Sequence, residues 1–165
     1  MKKVILLSLI FCLIFVFGCS SNTKPEPANN QTPPPQQTQT FNVGEKIKLS
    51  DYYLTVNGFE DYVDENSFIQ SEEGNKFFIV DVTIENNGTE PKSYNELDFE
   101  IQDSVSYIYD SYLSLKEPSL QSGDLQPGRN VRGWITFEIP KNAQGLELIY
   151  QPDWWDAGQI IVKLE

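Results

Sequence analysis

The run Asn75–Asn86, Asn-Lys-Phe-Phe-Ile-Val-Asp-Val-Thr-Ile-Glu-Asn, constrains this chain more than any other stretch. Phe78, Val80, Val82 and Ile84 share one parity, and Phe77, Ile79, Asp81 and Thr83 share the other. Successive side chains of a strand point to opposite faces. A stretch apolar on both faces near its start has to be covered from both sides, which predicts a central strand rather than an edge. The Asn86-Asn87-Gly88-Thr89 that follows is a turn, because Asn-Gly supplies the backbone a tight reversal needs. It also has the form of a glycosylation acceptor, but is read only as a turn.

Other runs repeat the two-residue period. Ile47 and Leu49 alternate with Lys46 and Lys48, and Leu54 and Val56 with Thr55 and Asn57. Residues 61–74 are acidic and irregular, a loop. Leu97, Phe99 and Ile101 alternate with Asp98, Glu100 and Gln102, predicting a half-buried strand with an acidic outer face. Residues 103–106 form a turn, after which Tyr107-Ile108-Tyr109 pairs back. Residues 111–128 read as a long loop. In 130–140, Val131, Gly133, Ile135, Phe137 and Ile139 face one way and Arg132, Trp134, Thr136 and Glu138 the other; Pro140 ends the strand because it cannot donate to the ladder. Leu146, Leu148 and Tyr150 mark the next strand, and Ile160, Val162 and Leu164 the last. No segment shows a sustained period near 3.6. The pattern predicts an all-β domain of about seven to eight strands, an antiparallel β-sandwich, with a barrel or jelly roll as alternatives.

The first 40 residues are of another kind. Lys2 and Lys3 precede an apolar stretch, 4–17, broken only by Ser8 and Cys12. A basic start and a short apolar run form a secretory signal, too short for a spanning helix of about 20 apolar residues. It ends at Val16-Phe17-Gly18-Cys19, which resembles a bacterial lipoprotein box: an aliphatic residue three before the cysteine and a small one directly before it. The resemblance implies that residues 1–18 are removed and that Cys19 carries a diacylglyceryl thioether. Cys12 leaves with the leader, so Cys19 is the mature chain's one cysteine and no intramolecular disulfide is available. Two acyl chains anchor stably where one binds marginally.

From Ser20 to Thr40 the side chains are polar or proline, apart from Ala28. Such a segment cannot bury enough surface to offset its ordering entropy. Its prolines favour extended conformations, a spacer of roughly 65 Å at ~3.1 Å per residue. The expected organisation is a signal peptide over 1–18, a lipidated cysteine and tether over 19–40, and the sandwich over 41–165.

Charge and composition then exclude whole classes of function. Taking Lys2 and Lys3 from the 12 basic residues leaves 10 against 24 acidic, a net charge of −14. That surface repels nucleic acid and anionic head groups, so the acyl chains are left to hold the membrane. There is no histidine, which removes every mechanism built on an imidazole base and the commonest zinc ligand. No cofactor is expected.

Gly74-Asn75-Lys76-Phe77-Phe78-Ile79-Val80-Asp81-Val82-Thr83-Ile84-Glu85-Asn86-Asn87-Gly88 resembles the hallmark strand of the DUF4352 family. The run Gly123-Asp124-Leu125-Gln126-Pro127-Gly128, with Gly133-Trp134-Ile135-Thr136-Phe137-Glu138-Ile139-Pro140-Lys141 after it, is similar too, and Leu146-Glu147-Leu148-Ile149-Tyr150 and Ile160-Ile161-Val162 follow in the family's order. The resemblance covers nearly all of 41–165. It implies an immunoglobulin-like sandwich, also called telokin-like and similar to a secreted mycobacterial antigen, in lipoproteins or exported proteins of Gram-positive bacteria. It implies no activity and supplies no catalytic residues. The Phe77-Phe78 pair and the acidic loop before it depart from the pattern.

Three sets of residues are candidates for ligand chemistry. Trp154 and Trp155, in Pro-Asp-Trp-Trp-Asp between the last two strands, suit a sugar, since rings stack on pyranose faces and carboxylates accept from hydroxyls; the alternative is that one packs over the end of the sandwich. Trp134 points off the core face or fills a groove under a loop. Glu60, Asp61, Asp64, Glu65, Glu72 and Glu73 offer oxygens for calcium, but lack EF-hand spacing, and a solvated charge run with no metal is the reading taken. Glu96, Asp98 and Glu100 carry the weakest case, a carboxylate-based hydrolase. The function expected is a non-enzymatic binding module at the cell surface, held to the membrane through Cys19. Its partner is an extracellular protein, an envelope polymer or a small ligand, not nucleic acid. The alternative is an accessory subunit of an exported enzyme or transporter.

Overall fold

A computed structural model describes residues 39–63, 68–152 and 159–164. Among them are eleven strands: β1 (Gln39–Asn42), β2 (Lys46–Leu49), β3 (Tyr52–Tyr62), β4 (Asn75–Asn86), β5 (Lys92–Tyr94), β6 (Phe99–Gln102), β7 (Ile108–Tyr112), β8 (Gly123–Leu125), β9 (Asn130–Pro140), β10 (Glu147–Tyr150) and β11 (Ile160–Lys163). The fold is a β-sandwich, with more strands than the seven to eight expected. The expected leader, Cys19 and most of the expected tether lie outside the described residues.

Nine strands form one ladder in the order β1-β11-β10-β6-β7-β9-β4-β3-β2, and β5 pairs with β8 apart from it. The ladder folds into two layers at β7. Ile108, Tyr109 and Asp110 pair with β6 in one layer, and Ser111 and Tyr112 pair with β9 in the other. Every pairing of named strands is antiparallel except β1 with β11.

β4 is central, flanked by β3 and β9 along nearly its whole length. Its Phe78, Val80, Val82 and Ile84 enter the core with Leu54 and Val56 of β3 and Ile135, Phe137 and Ile139 of β9. The other layer supplies Phe99, Ile101, Leu148, Tyr150, Ile160 and Val162 to the same cluster. Each such aliphatic or phenylalanine side chain, buried, stabilises the fold by about 1.5–3 kcal/mol. On the opposite face of β4, Phe77, Ile79 and Asp81 are buried as well. This second cover is the segment after β7: Leu115 accepts from the Tyr62 hydroxyl through its carbonyl (2.9 Å) and donates its N–H to Thr136 Oγ1 (3.2 Å).

That segment is where the sequence reading of a loop over 111–128 needs correcting. β7 extends to Tyr112, and β8 lies within the supposed loop. Between them Ser119 forms a parallel bridge with Trp134. The Trp134 N–H donates to Pro118 O (2.8 Å) and the Leu120 N–H to Trp134 O (3.0 Å). Leu120 is thereby inserted into the core. Gly133 makes room for it, since a Cβ there would stand 2.4 Å from Leu120 N and 2.6 Å from Leu120 Cα.

β1 takes in Gln39 and Thr40, which the sequence reading left in the tether. At the close of β4 the buried Asn86 side chain donates to Glu90 O (2.9 Å) and Leu125 O (2.8 Å) and accepts from Gly88 N (2.9 Å). One carboxamide thus fastens the predicted turn to β8 and satisfies itself, as a buried polar group must.

Register defines the two ends of the sandwich. Gln39 is level with Ile160, Ile160 with Tyr150, and Tyr150 with Phe99. This is the end at which the described chain enters. At the far end, Glu147 is level with Gln102, Gln102 with Ile108, and Asn75 with Pro140.

Candidate functional site

The residues singled out in the sequence separate in the structure. Trp154 and Trp155 lie outside the described residues; Tyr150 and Ile160, the nearest strand residues before and after them in the chain, belong to the entry end. Trp134 is half-buried on the outer face of β9, level with Asp81. The Lys116 ammonium sits 3.7 Å from the centre of its ring and pairs with Glu60. Asp81, 4 % exposed, receives both Nε (3.0 and 3.1 Å) and Nη2 (2.5 Å) of Arg132 and a longer bond from Asn57 Nδ2 (3.2 Å). A buried carboxylate needs such partners. This outer face is a braced surface in which ring and charges already have partners.

Within the acidic stretch, Glu60 pairs with Lys116 and Asp61 with Lys76 (2.7 Å); Asp64 and Glu65 are outside the described residues. No group of three or more Asp, Glu, His or Cys among the described residues is placed to hold a metal ion. Glu96, Asp98 and Glu100 do not share a strand face. Glu96–Asp98 is a 3-10 turn capped by the Asn95 side chain, which accepts from Leu97 N (3.0 Å). Only Glu100 of the three is on β6, and Leu97 is left exposed. Helix-type turn geometry overrides the alternation here because Asn95 caps it.

The far end has a different character. Most of the strongly exposed apolar side chains gather there or beside it: Phe68 (91 %), Val63 (79 %), Val105 (70 %), Tyr107 (67 %) and Ile108 (54 %). Two clefts flank the turn after β9. One, of about 350 Å³, runs beside Tyr62, Ile69 and Phe77 with Lys76 and Lys141 at its rim. The other, of about 540 Å³, lies between the turn 103–107 and the turn 140–144.

The larger cleft is built by Asp103. Its Oδ1 accepts from Val105 N (3.0 Å) and Tyr107 N (3.0 Å), and its Oδ2 from the Tyr109 hydroxyl (2.9 Å). The turn is clamped to its neighbour by Ser104 N donating to Gln144 O (2.9 Å). Burial pushes the Asp103 carboxyl up, but the bonds from Tyr107 N, Tyr109 and Val105 N outweigh it and leave it below its ordinary 3.8. Burial, then the bond to Asp103, moves the Tyr109 phenol the other way, so it stays protonated and donating.

Because the folded carboxyl is depressed, its contribution to stability is present above the unfolded value, about 3.9, and is lost as pH falls through the folded value. Asp103→Asn is therefore expected to lower the melting temperature at pH 7 and to lose that deficit progressively as pH falls below 3.8. A deficit unchanged across the range would show that the charge carries none of it.

The groove residues Asp103, Tyr107, Asn142 and Gln144 were not singled out from sequence. An Asp two residues before Val105 and four before Tyr107 is a turn signal, but nothing local points to the second turn that faces it.

Comparison with known proteins places this architecture. The sequence model of a family described as a domain of unknown function, DUF4352, matches residues 41–160. The uncharacterized lipoprotein YjhA of Bacillus subtilis (strain 168) is 28 % identical over 127 residues, 69 % of this chain and 60 % of that protein. The chain therefore spans less than two thirds of that relative's length. The crystal structure of the Bacillus subtilis yjhA protein matches with a TM-score of 0.61 at 26 % identity, over 76 % of this chain and 99 % of that one. The secreted protein MPT63 of Mycobacterium tuberculosis matches with a TM-score of 0.59 at 10 % identity, over 76 % of this chain and 97 % of that one, a likeness of fold alone.

Proposed function

The chain belongs to the DUF4352 family, and on that premise we propose that it is a lipoprotein, anchored on the extracytoplasmic face of a Gram-positive cell membrane by acyl chains on Cys19, whose β-sandwich is a non-enzymatic binding module presenting its far end to the envelope. Its relative YjhA carries the lipoprotein description and the same sandwich.

The observation that supports the module is the segregation of surface chemistry. The chain enters at Gln39, and most of the strongly exposed apolar and aromatic side chains among the described residues gather at or beside the opposite end with the two larger clefts. Leu97 and Leu113 stand apart, and a smaller cleft beside Tyr94 and Asp124 lies at the entry end. Exposed patches of this kind mark contact surfaces. A domain held by its entry end turns that surface outward. Glu60 and Asp61 are engaged in ion pairs, and of Glu96, Asp98 and Glu100 only Glu100 stands on β6, so neither set supports a two-carboxylate hydrolase.

The test is co-sedimentation of the full lipidated chain, in detergent, with cell walls purified from a Gram-positive bacterium. Val105→Asp combined with Tyr107→Ala is expected to abolish retention, and Asp124→Asn, at the entry end, to leave it unchanged. Retention indifferent to the far-end changes, or no retention of the unaltered chain, overturns the reading.

A further inference from the structure

We propose that the groove between turns 103–107 and 140–144 is a binding site for a neutral saccharide. This rests on the reading of the far end as the contact surface and names its ligand. The groove's volume, about 540 Å³, falls in the range of roughly 300–1,000 Å³ of small-ligand sites. Its walls combine aromatic faces with neutral polar groups. Tyr107 is largely exposed and stands in the lining with Tyr109; Pro140 and Ala143 add apolar wall. Such faces cover the C–H face of a sugar ring.

Asn142 and Gln144 are exposed in the same lining. Each carboxamide offers two donors and an acceptor. A sugar hydroxyl both donates and accepts, and these groups answer it in either sense.

Charge selects within that chemistry. Asp103 is the one charged residue among those lining the groove, and both its oxygens already accept from its own turn. The lining holds no Lys or Arg for an anionic ligand, and its single carboxylate is engaged in holding its own turn. The acidic chain as a whole also repels polyanions. A proline-rich peptide presents carbonyls that only accept, so it would use the donors of the lining and leave the acceptor of each carboxamide unanswered. A neutral saccharide is the ligand that uses what the groove leaves open.

The experiment is calorimetric titration of the full lipidated chain in detergent micelles with chitotetraose and cellotetraose, two neutral oligosaccharides, against polyglycerol phosphate and deca-proline. Saturable binding of at least one neutral oligosaccharide is expected. Tyr107→Ala is expected to weaken it roughly tenfold or more, Tyr107→Phe to retain it because the ring remains, and Asn142→Ala to weaken it several-fold. Unchanged melting of each variant separates lost contact from lost fold. The proposal is overturned if neither oligosaccharide binds, if Tyr107→Ala binds as the unaltered chain does, or if deca-proline or polyglycerol phosphate binds in their place. Cell-wall retention that persists and still depends on the far end, without oligosaccharide binding, sinks the saccharide and leaves the module standing; loss of both sinks both.

Discussion

Gly133→Ala is expected to destabilise the domain by roughly 3 kcal/mol, the upper end of what overpacking a core costs. The new methyl would meet backbone rather than a yielding side chain: Leu120 N at 2.4 Å, Leu120 Cα and Ser119 C at 2.6 Å. Relief requires the 118–120 segment to lift off β9. That breaks the bonds of Trp134 with Pro118 and Leu120 and withdraws Leu120 from a fully buried position. Losing a buried leucine costs about 2–5 kcal/mol by itself. Gly58→Ala is the control, because an added Cβ there meets nothing within 4 Å. Denaturant melts of both variants decide the matter. A loss for Gly133→Ala no larger than for Gly58→Ala would mean that the crossing segment yields freely.

Cys19→Ala is expected to move the protein from the membrane fraction to the soluble or uncleaved one and to abolish metabolic labelling with a fatty acid. Each buried methylene of an acyl chain contributes about 0.8 kcal/mol to membrane binding, and a chain with 10 basic and 24 acidic residues after its leader has no electrostatic attraction to anionic lipid to replace it. With the leader removed, membrane retention is therefore expected to rest on this one side chain. Labelling that survives the substitution would rule out Cys19 as the acceptor.

Legibility in the sequence followed how much of each element's stability is local. β4 and β9 were readable to their end residues because alternation, flanking turns and Pro140 all agree. β1, β5 and β8 were not. Gln39 and Thr40 have the composition of the tether, and they are strand only because Ile160 and Ile161 of β11 lie alongside. Gly123-Asp124-Leu125 carries no alternation and is ordered by its pairing with Lys92-Ser93-Tyr94. The same division holds at the groove. The turn made by Asp103 is local and was readable as a turn. The cleft exists because residues some forty positions later close against it, joined through Ser104 and Gln144, and no short window contains both walls.

β1 runs parallel to β11 from the entry end toward the far end, and that has a mechanical meaning. With the far end holding a partner and the tether drawing on Gln39, the pull lies along the strand axis. The rungs joining the two strands are then loaded together, in shear, instead of parting one after another from an open end. On that reading β1 and β11 form a lap joint, and the strand whose residues most resemble the proposed tether is the one that would carry the tension.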